Sequence, residues 1–324
     1  MPDAVVIGAS GYGGALAASL LWRHPHFELR HVTARTDAGA RLDAVHPRTR
    51  VPLELERPDA ELDVEAAVVA YPHGAAAPVV AGLVERGVRV VDLSADFRLH
   101  ELATYEEWYG EHGAPGLIGE AVYGLPELHR DEVRDARLVA NPGCYPTAAV
   151  LALAPLAREG LLGDVVIDAK SGVSGAGREP SHTKHFVSVD ETVTPYKIGA
   201  HRHTPEIEQE LGGGVRVTFT PHLVPLSHGE LVSCYVMPTA AVDARALYGD
   251  FYADEPWVEV VAGPPGMTEV RETNFCRISV HDDPRTGRLI VFATIDNLYK
   301  GTSSQAVQNL NLMFGYDEGE GLPA

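Results

Sequence analysis

The chain has 324 residues, 45% of them hydrophobic, which is enough for a full apolar core and for more than one domain. Its formal net charge of −19 is compatible with a high-salt host or with a role in solubility. A surface of this charge repels nucleic acid and anionic membranes, so neither is expected as a partner. No apolar run is long enough to span a bilayer, the first residues do not form a signal peptide, and three cysteines cannot make a disulfide scaffold, so the sequence predicts a cytoplasmic protein.

The first half of the chain alternates short apolar runs with helical patterns. AVVIG at residues 4–8 predicts a buried parallel strand, and the Ala- and Leu-rich stretch from Ala15 to Trp22 predicts the helix that follows it. The alternation continues through LRHVTAR, which ends near Arg35, and then through EAAVVAY, AAAPVVAGLVERG, VRVVDLS and RLVAN. Strands and helices at this spacing predict βαβ units and a parallel sheet.

A glycine-rich loop joins the first predicted strand to the first predicted helix. Glycines in the pattern G-x-x-G-x-x-G let a pyrophosphate approach the backbone and rest on the N–H groups of the helix end, although such turns also serve tight packing alone. We predict a dinucleotide site formed by the whole loop, namely Gly8, Ser10, Gly11, Tyr12, Gly13 and Gly14.

The end of the second predicted strand indicates which dinucleotide binds. An NAD site would usually carry an acidic residue there, to bind the ribose diol. This chain has Thr33-Ala34-Arg35-Thr36 instead. A guanidinium and hydroxyl groups suit a 2′-phosphate, so we predict NADP, with Thr33 and Arg35 among its contacts.

Beyond residue 147 the runs become longer and more polar, which predicts a mostly antiparallel sheet with few helices. The predicted strands are VVIDAKSGVSG, VRVTFTPHLVP, GELVSCYVMP, FCRISVHDD and RLIVFATIDN. We place a domain boundary at 147. The tail from Ser303 has a helical pattern and is expected to return to the first domain.

The stretch NPGCYPT at 141–147 places Cys144 between a Pro-Gly turn and a predicted helix whose first residue is Pro146. The helix dipole and the unpaired N–H groups at that end lower the pKa of a thiol and are suited to hold the oxyanion formed when sulfur attacks an acyl carbon. A lone cysteine is most often a small buried hydrophobe, and this reading suits Cys234 and Cys276, which lie in apolar runs. Cys144 is therefore predicted to be a nucleophile.

Five motifs spread along the chain carry a resemblance to a known family. They are GASGYGG in the glycine loop, LSADFR at 93–98, NPGCYPT, SGVSGAGR at 171–178 and HRHTPEIEQEL at 201–211. In this order they resemble the N-acetyl-γ-glutamyl-phosphate reductases of arginine biosynthesis, relatives of the aspartate-semialdehyde and glyceraldehyde-phosphate dehydrogenases. The resemblance implies an α/β protein, with a Rossmann-type NADP-binding domain at 1–147 and 303–324 and an α+β catalytic and oligomerisation domain at 148–302. It also implies a small acyl-phosphate substrate, a homotetramer or homodimer, and no metal.

The resemblance further implies roles for single residues. Cys144 matches the nucleophile of the family, and the catalytic histidine falls at His203 or His201. We prefer His203, which directly precedes a helix predicted from Thr204 and Pro205. The substrate contacts implied in this way are Arg98, Ser171, His201 and Arg202, and the further cofactor contacts are Ser94, Gly175 and Asn297.

Two departures from the family pattern and three alternatives accompany this prediction. The chain has Leu226-Ser227-His228-Gly229 where the family commonly ends a short stretch in Arg-Gly, and Ser303-Ser304 replaces a pair of smaller residues. The alternative substrates are an acyl phosphate attached to an acidic carrier protein and aspartyl phosphate, as in aspartate-semialdehyde dehydrogenase. The alternative of another class is an NADP-binding sensor, which would have no reason to keep both Cys144 and His203.

Overall fold

A computed structural model describes residues 1–58 and 62–324. These residues form two compact units, the first comprising Met1–Gly143 with Thr302–Pro323 and the second comprising Cys144–Gly301. Within the described ranges, no helix is long and apolar enough to cross a membrane.

The first unit contains a parallel sheet with helices in its connections. In the described part of this unit the sheet has seven strands in the order β3-β2-β1-β4-β5-β7-β6, and every neighbouring pair is parallel. The strands are β1 (Asp3–Ile7), β2 (Glu28–Thr33), β3 (Leu55–Glu56), β4 (Ala66–Val69), β5 (Arg89–Asp92), β6 (Val122–Tyr123) and β7 (Leu138–Ala140). The helices are α1 (Tyr12–Trp22), α2 (Leu42–Val45), α3 (Ala77–Glu85), α4 (Leu102–Tyr109) and α5 (Pro126–Asp135), with a 3₁₀ turn at Pro115–Glu120.

The second unit, all of whose residues are described, contains a mixed sheet of seven strands. The order is β12-β13-β14-β11-β8-β10-β9, and the pairs are antiparallel except β8 with β10 and β12 with β13. The strands are β8 (Leu162–Gly172), β9 (Thr194–Pro195), β10 (Val217–Val224), β11 (Glu230–Pro238), β12 (Val258–Val260), β13 (Cys276–Asp283) and β14 (Arg288–Ile295). The helices are α6 (Cys144–Arg158), α7 (Phe186–Val189), α8 (Thr204–Leu211) and α9 (Ala244–Phe251), with 3₁₀ turns at Val173–Ala176, His182–Lys184 and Met267–Glu269.

Helix α6 is the main helix of the second unit and packs on β11, β14 and α8. It begins at Cys144, two residues before the start predicted from Pro146. Proline is tolerated in that first turn because the N–H groups there have no acceptor within the helix. Pro155 lies deeper and cannot donate to the carbonyl of Leu151, which instead accepts a hydrogen bond of 2.5 Å from the hydroxyl of Tyr252. The helix therefore continues through Pro155 to Arg158.

The chain ends in α10 (Ser304–Met313), which follows a π-helical turn at Tyr299–Ser303 and packs on α1 and α5 of the first unit. Apolar side chains cover both faces of the parallel sheet, as expected for strands that are buried on two sides. Alternate residues of β1 point to opposite faces: Val6 joins the cluster that contains α10, whereas Val5 joins the cluster around α3.

The main predicted strands and the terminal helix are confirmed as elements, with two kinds of difference. The sequence did not reveal the short strands β3, β6, β9 and β12, which have two or three residues each and so have no measurable period. The second strand ends at Thr33 and not near Arg35, since β1 offers it no partner beyond Ile7.

Candidate active site

The glycine loop follows β1, whose neighbours in the sheet are β2 and β4. Ligands of parallel α/β sheets bind at such a point, where the connections lead away to both sides. Gly8 has φ +85°, and a Cβ atom there would lie 2.6 Å from the carbonyl oxygen of Ala70. A Cβ atom on Gly14 would collide with the carbonyl group of Gly8. Both glycines are thus required by the packing of the backbone itself.

Gly11 differs from these two glycines. It is the N-cap residue of α1, and a Cβ atom there would meet only the carbonyl oxygen of Gly8, at 3.7 Å. Packing of the protein therefore does not require glycine at this position. The space beside the first N–H groups of α1 suits a pyrophosphate, which needs close contact with the backbone.

The other loop residues are fixed by neighbours within the first unit. The carbonyl oxygen of Ser10 accepts a hydrogen bond from Nε2 of His46, whose ring lies 6.1 Å from that of the half-exposed Tyr12. The carbonyl oxygen of Gly13 accepts from the hydroxyl of Ser303 at 2.8 Å. The departure at Ser303 therefore adds a hydrogen bond to the loop.

Thr33 and Arg35 have different surroundings. The carbonyl oxygen of Thr33 accepts hydrogen bonds from the N–H groups of Gly8 and Ala9, and its side chain is buried. Arg35 is exposed, with its guanidinium carbon 4.7 Å from the centre of the Tyr71 ring. Thr33 thus anchors the glycine loop, whereas Arg35 presents an accessible positive charge.

The LSADFR segment forms a buried hydrogen-bond network in the first unit. The hydroxyl of Ser94 donates to Asp92 at 2.6 Å, and burial raises the pKa of Asp92 to about 7. Asp96 accepts from the N–H groups of Ala76 and Ala77, at the start of α3.

Arg98 belongs to the same segment and is 5% exposed. Its guanidinium donates to the carbonyl oxygens of Asn141 and Leu93, both at 2.8 Å. These bonds hold the turn that leads to Cys144. A role for Arg98 at the anionic end of the substrate stays a prediction.

Cys144 is the first residue of α6, where the helix N–H groups have no acceptor within the helix, and its side chain is partly exposed. A Cβ atom on Gly301 would lie 2.8 Å from the Cβ atom of Cys144. The segment DNLYKG at 296–301 thus passes directly against Cys144, and glycine at 301 is what allows this approach.

The two histidines of the H-x-H segment lie beside the residue that follows Cys144. The ring centres of His201 and His203 are 5.7 Å and 5.9 Å from that of Tyr145, and 4.8 Å from each other. The folding of the second unit therefore brings the histidine segment to the start of α6.

His201 is a poor candidate for the base. Its Nδ1 accepts a hydrogen bond from the backbone N–H of His203, which places the proton of the neutral ring on Nε2. Burial first, and then the charges of Lys197 and Arg202, lower the pKa of His201 to about 4. The ring is neutral near pH 7 and accepts a proton only in more acidic solution. The geometry thus favours His203 over His201 as base.

The same observation locates positive charge in a chain whose net charge is −19. Lys197 and Arg202 are exposed and lie close enough to His201 to lower its pKa. The second unit thus has local positive charge near the histidine segment, as a phosphate-bearing substrate requires.

Three predicted site residues from two separate motifs meet in the second unit. A Cβ atom on Gly175 would lie 3.2 Å from Oγ of Ser171 and 3.4 Å from Nδ2 of Asn297. Asn297 donates to the hydroxyl of Ser174 and accepts from the N–H of Gly229, at 3.1 Å and 2.8 Å. Asn297 therefore joins the SGVSGAGR segment to the start of β11.

Sequence reasoning missed Glu230, which is fully buried at the start of β11. Cys144 and Ser171 lie close enough for their polar groups to influence its pKa, which burial raises to about 8. The strand pattern contained a signal for it. Residues 230, 232, 234 and 236 share one face of the strand, and Val232, Cys234 and Val236 on that face are buried. The strand period therefore predicts an inward-facing carboxyl group.

The departure at 226–229 introduces a histidine–carboxylate pair. Nδ1 of His228 lies 2.6 Å from Oδ2 of the fully buried Asp296, which also accepts from the N–H of Glu272. Arg271 donates to the carbonyl oxygen of His228 at 3.3 Å. An arginine from another segment therefore reaches the stretch in which the family commonly has its own arginine.

Two family models match the chain. Residues 3–136 match the semialdehyde dehydrogenase NAD binding domain, and residues 144–297 match the semialdehyde dehydrogenase dimerisation domain. Within the described ranges, no group of three or more His, Cys, Asp or Glu side chains is arranged to hold a metal ion.

Several curated relatives match over nearly their whole length. The N-acetyl-γ-glutamyl-phosphate reductase of Moorella thermoacetica is 49% identical, with 98% of this chain and 97% of that protein covered. The protein of the same name from Syntrophobacter fumaroxidans is 50% identical, over 98% of this chain and 96% of that one. The one from Methanocaldococcus jannaschii is 43% identical, over 99% and 98%.

Solved structures show the same fold at low identity. Aspartate semialdehyde dehydrogenase II from Vibrio cholerae has a TM-score of 0.76 at 17% identity, with 97% of this chain and 99% of that chain covered. Aspartate semialdehyde dehydrogenase with NADP from Candida albicans has a TM-score of 0.73 at 14% identity, over 97% and 98%. The predicted fold class is confirmed: a Rossmann-type parallel sheet and a second α+β sheet, as in the semialdehyde dehydrogenases.

Proposed function

We propose that this chain, which belongs to the N-acetyl-γ-glutamyl-phosphate reductase family, reduces N-acetyl-γ-glutamyl phosphate to the semialdehyde in arginine biosynthesis with NADPH as the reductant. The reaction proceeds through a thioester on Cys144. The observation that carries this proposal is the position of Cys144 at the N-terminus of α6, with Tyr145 and the H-x-H segment beside it.

In the first half of the proposed reaction the enzyme forms a thioester. His203 accepts the proton of the Cys144 thiol, and the sulfur attacks the γ-acyl carbon. The N–H groups at the start of α6 stabilise the oxyanion of the tetrahedral intermediate. The bond between the acyl carbon and the phosphate oxygen then breaks, and phosphate leaves with the electron pair.

In the second half the thioester is reduced to the aldehyde. NADPH, when bound, supplies a hydride to the thioester carbon. Cys144 takes back the electron pair as the carbon–sulfur bond breaks, and His203 returns a proton to the sulfur. The covalent step is required because a free carboxylate is too stable to accept a hydride.

Positive groups of the second unit provide for the anionic substrate. Lys197 and Arg202 lie near His201, and Ser171 is the cross-strand neighbour of Glu230. We assign Arg202, Ser171, His201 and Arg98 to substrate binding, with Arg98 also holding the turn before Cys144.

The proposed nucleotide site lies in the first unit. The open space at Gly11 supports a pyrophosphate, and the exposed guanidinium of Arg35 supports a 2′-phosphate. The proposed contacts are Gly8, Ser10, Gly11, Tyr12, Gly13, Gly14, Thr33, Arg35 and Ser94, with Gly175 and Asn297 assigned to the nicotinamide side. We also propose that residues 1–147 and 303–324 form the NADP-binding domain, and that residues 148–302 form the catalytic and oligomerisation domain.

Arg35→Asp tests the choice of cofactor. We expect the native enzyme to bind NADPH at least about tenfold better than NADH, because charge-assisted bonds to a phosphate contribute about 1.5–3 kcal/mol. The aspartate variant should lose or reverse this preference, since its carboxylate repels the phosphate and suits the ribose diol. Kd values for both cofactors, from fluorescence titration, give the ratio. A native enzyme that binds both equally well would contradict the assignment.

We also propose that the protein is a cytoplasmic homodimer or homotetramer. Four large apolar side chains of the second unit are strongly exposed: Phe186 at 71%, Val187 at 78%, Val193 at 57% and Ile198 at 67%. Such a group on one segment marks an interaction surface, and the matching family model is that of a dimerisation domain. No disulfide joins any two of Cys144, Cys234 and Cys276.

A comparison of substrates tests the proposed reaction. In the oxidative direction, we expect phosphate-dependent reduction of NADP with N-acetylglutamate semialdehyde. With aspartate semialdehyde, which lacks the acetyl group on its amino nitrogen and one methylene, we expect a kcat/KM at least about a hundredfold lower. If kcat/KM were higher with a carrier-bound semialdehyde than with N-acetylglutamate semialdehyde, the carrier-bound compound would be the substrate. An absence of turnover with all three, together with intact NADP binding, would favour a sensor.

A further inference from the structure

Glu230 is the first residue of β11, in the middle of the second sheet. Its neighbours across the sheet are Ser171 on β8 and Ile295 on β14. The side chain is 0% exposed, and the residues on the same face of the following strand, such as Val232, are apolar and buried. An apolar residue would pack here more easily, so the carboxyl group calls for a chemical explanation.

The surroundings of this carboxyl group include the nucleophile. Among the residues that the structure describes, none forms a hydrogen bond of full geometry with either oxygen of Glu230. Ser171 is its cross-strand neighbour on β8, and Gly301, which lies against Cys144, also lies against Ile295, its neighbour on β14. Hydrogen bonding by Cys144 and by Ser171 lowers the pKa of Glu230, against the larger effect of burial. The other titratable groups that face it are Asp296, after β14, and two tyrosines, Tyr145 and Tyr196, whose own pKa values are raised by burial first.

Ionised Glu230 would be unfavourable in this position for two reasons. A buried carboxylate loses its hydration, and this loss is the largest cause that raises the pKa of Glu230 to about 8. A negative charge beside Cys144 would also oppose the thiolate and repel an anionic acyl phosphate. Near pH 7 the group is therefore a neutral carboxylic acid, which has one O–H to donate.

We propose that Glu230 is a further catalytic residue, whose carboxylic acid O–H donates a hydrogen bond to the sulfur of Cys144 and stabilises its thiolate. This inference rests on the proposed nucleophilic role of Cys144. The proton stays on Glu230 throughout, while His203 takes up and returns the proton of the thiol. The bond forms when the thiol loses its proton, and again when the carbon–sulfur bond breaks and negative charge returns to sulfur.

Alkylation of Cys144 by iodoacetamide, followed across pH 5.5–10 by peptide mass spectrometry, tests the inference. In the wild type we expect two changes of rate, one from ionisation of the thiol and one near pH 8, where Glu230 loses its proton. Glu230→Gln keeps a donor and cannot ionise, so only the first change should remain. Glu230→Leu removes the donor, so the first change should move to higher pH by about one unit.

Glu259→Gln makes the same chemical change on the edge strand β12 and serves as the matched control, with a wild-type profile expected. Buried Cys234 is the internal reference thiol, and thermal unfolding checks that each variant is folded. If Glu230→Leu does not fold, Glu230→Gln decides alone: loss of the rate change near pH 8 supports the inference, and its persistence overturns it. Wild-type profiles in both Glu230 variants would overturn the inference, while the proposed function would stand as long as Cys144→Ser is inactive. A fully active Cys144→Ser enzyme would overturn the proposed function, whatever the profiles.

Discussion

Cys144→Ser is expected to reduce turnover by several orders of magnitude while leaving NADP binding unchanged. A serine hydroxyl stays protonated near neutral pH, so the variant has no anionic nucleophile to attack the acyl carbon. The cofactor should bind as before, because its proposed contacts in the glycine loop and at Arg35 do not involve residue 144. Steady-state kcat and a fluorescence titration with NADPH measure the two quantities separately.

Cys234→Ser and Cys276→Ser are suitable controls for this experiment. Both thiols are fully buried in strands, and burial raises the pKa of Cys234. Their serine variants should lose some stability but retain the chemical step. In the native enzyme iodoacetamide should modify Cys144 first. Near-native activity of Cys144→Ser would show that another group is the nucleophile, or that turnover does not require one.

Much of the fold could be predicted because its main strands carry clear periods. The wholly apolar AVVIG run became β1, buried on both faces, and the longer alternating run GELVSCYVMP became β11. The strand order is not a local property. It depends on which loops cross the sheet, and for this the sequence offered only the resemblance to a family of known fold.

Residues of the site were predictable from the sequence where the residues next to them in the chain indicate their environment. The turn before Cys144 and the proline after it indicated a helix end, and the helix begins there. The partners of buried polar groups leave no such mark. Arg98 donates to the carbonyl oxygen of Asn141, which is distant in sequence, and Gly301 is small because Cys144 lies against it. Such requirements appear only when separate segments meet.

His203→Asn is expected to slow thioester formation by about 10²–10⁴-fold, the usual contribution of general acid–base catalysis. The imidazole accepts the thiol proton as sulfur attacks and returns it when the aldehyde is released. Asparagine fills similar space but cannot accept a proton near neutral pH. Rapid-quench measurement of acyl-enzyme formation isolates this step, and the Kd for NADPH should change little.

His201→Asn is the matched control, because His201 lies 4.8 Å from His203 between ring centres and in the same segment. Its Nδ1 already accepts the N–H of His203, and burial lowers its pKa to about 4, so it has little capacity to take a proton at pH 7. We therefore expect His201→Asn to retain most of the acylation rate and to raise KM, since the loop loses a hydrogen bond. If His201→Asn abolished acylation while His203→Asn preserved it, the two roles would have to be exchanged. The acylation rate of His203→Asn would then follow the ionisation of His201, whose pKa burial lowers to about 4, and would decrease only when the pH falls below about that value.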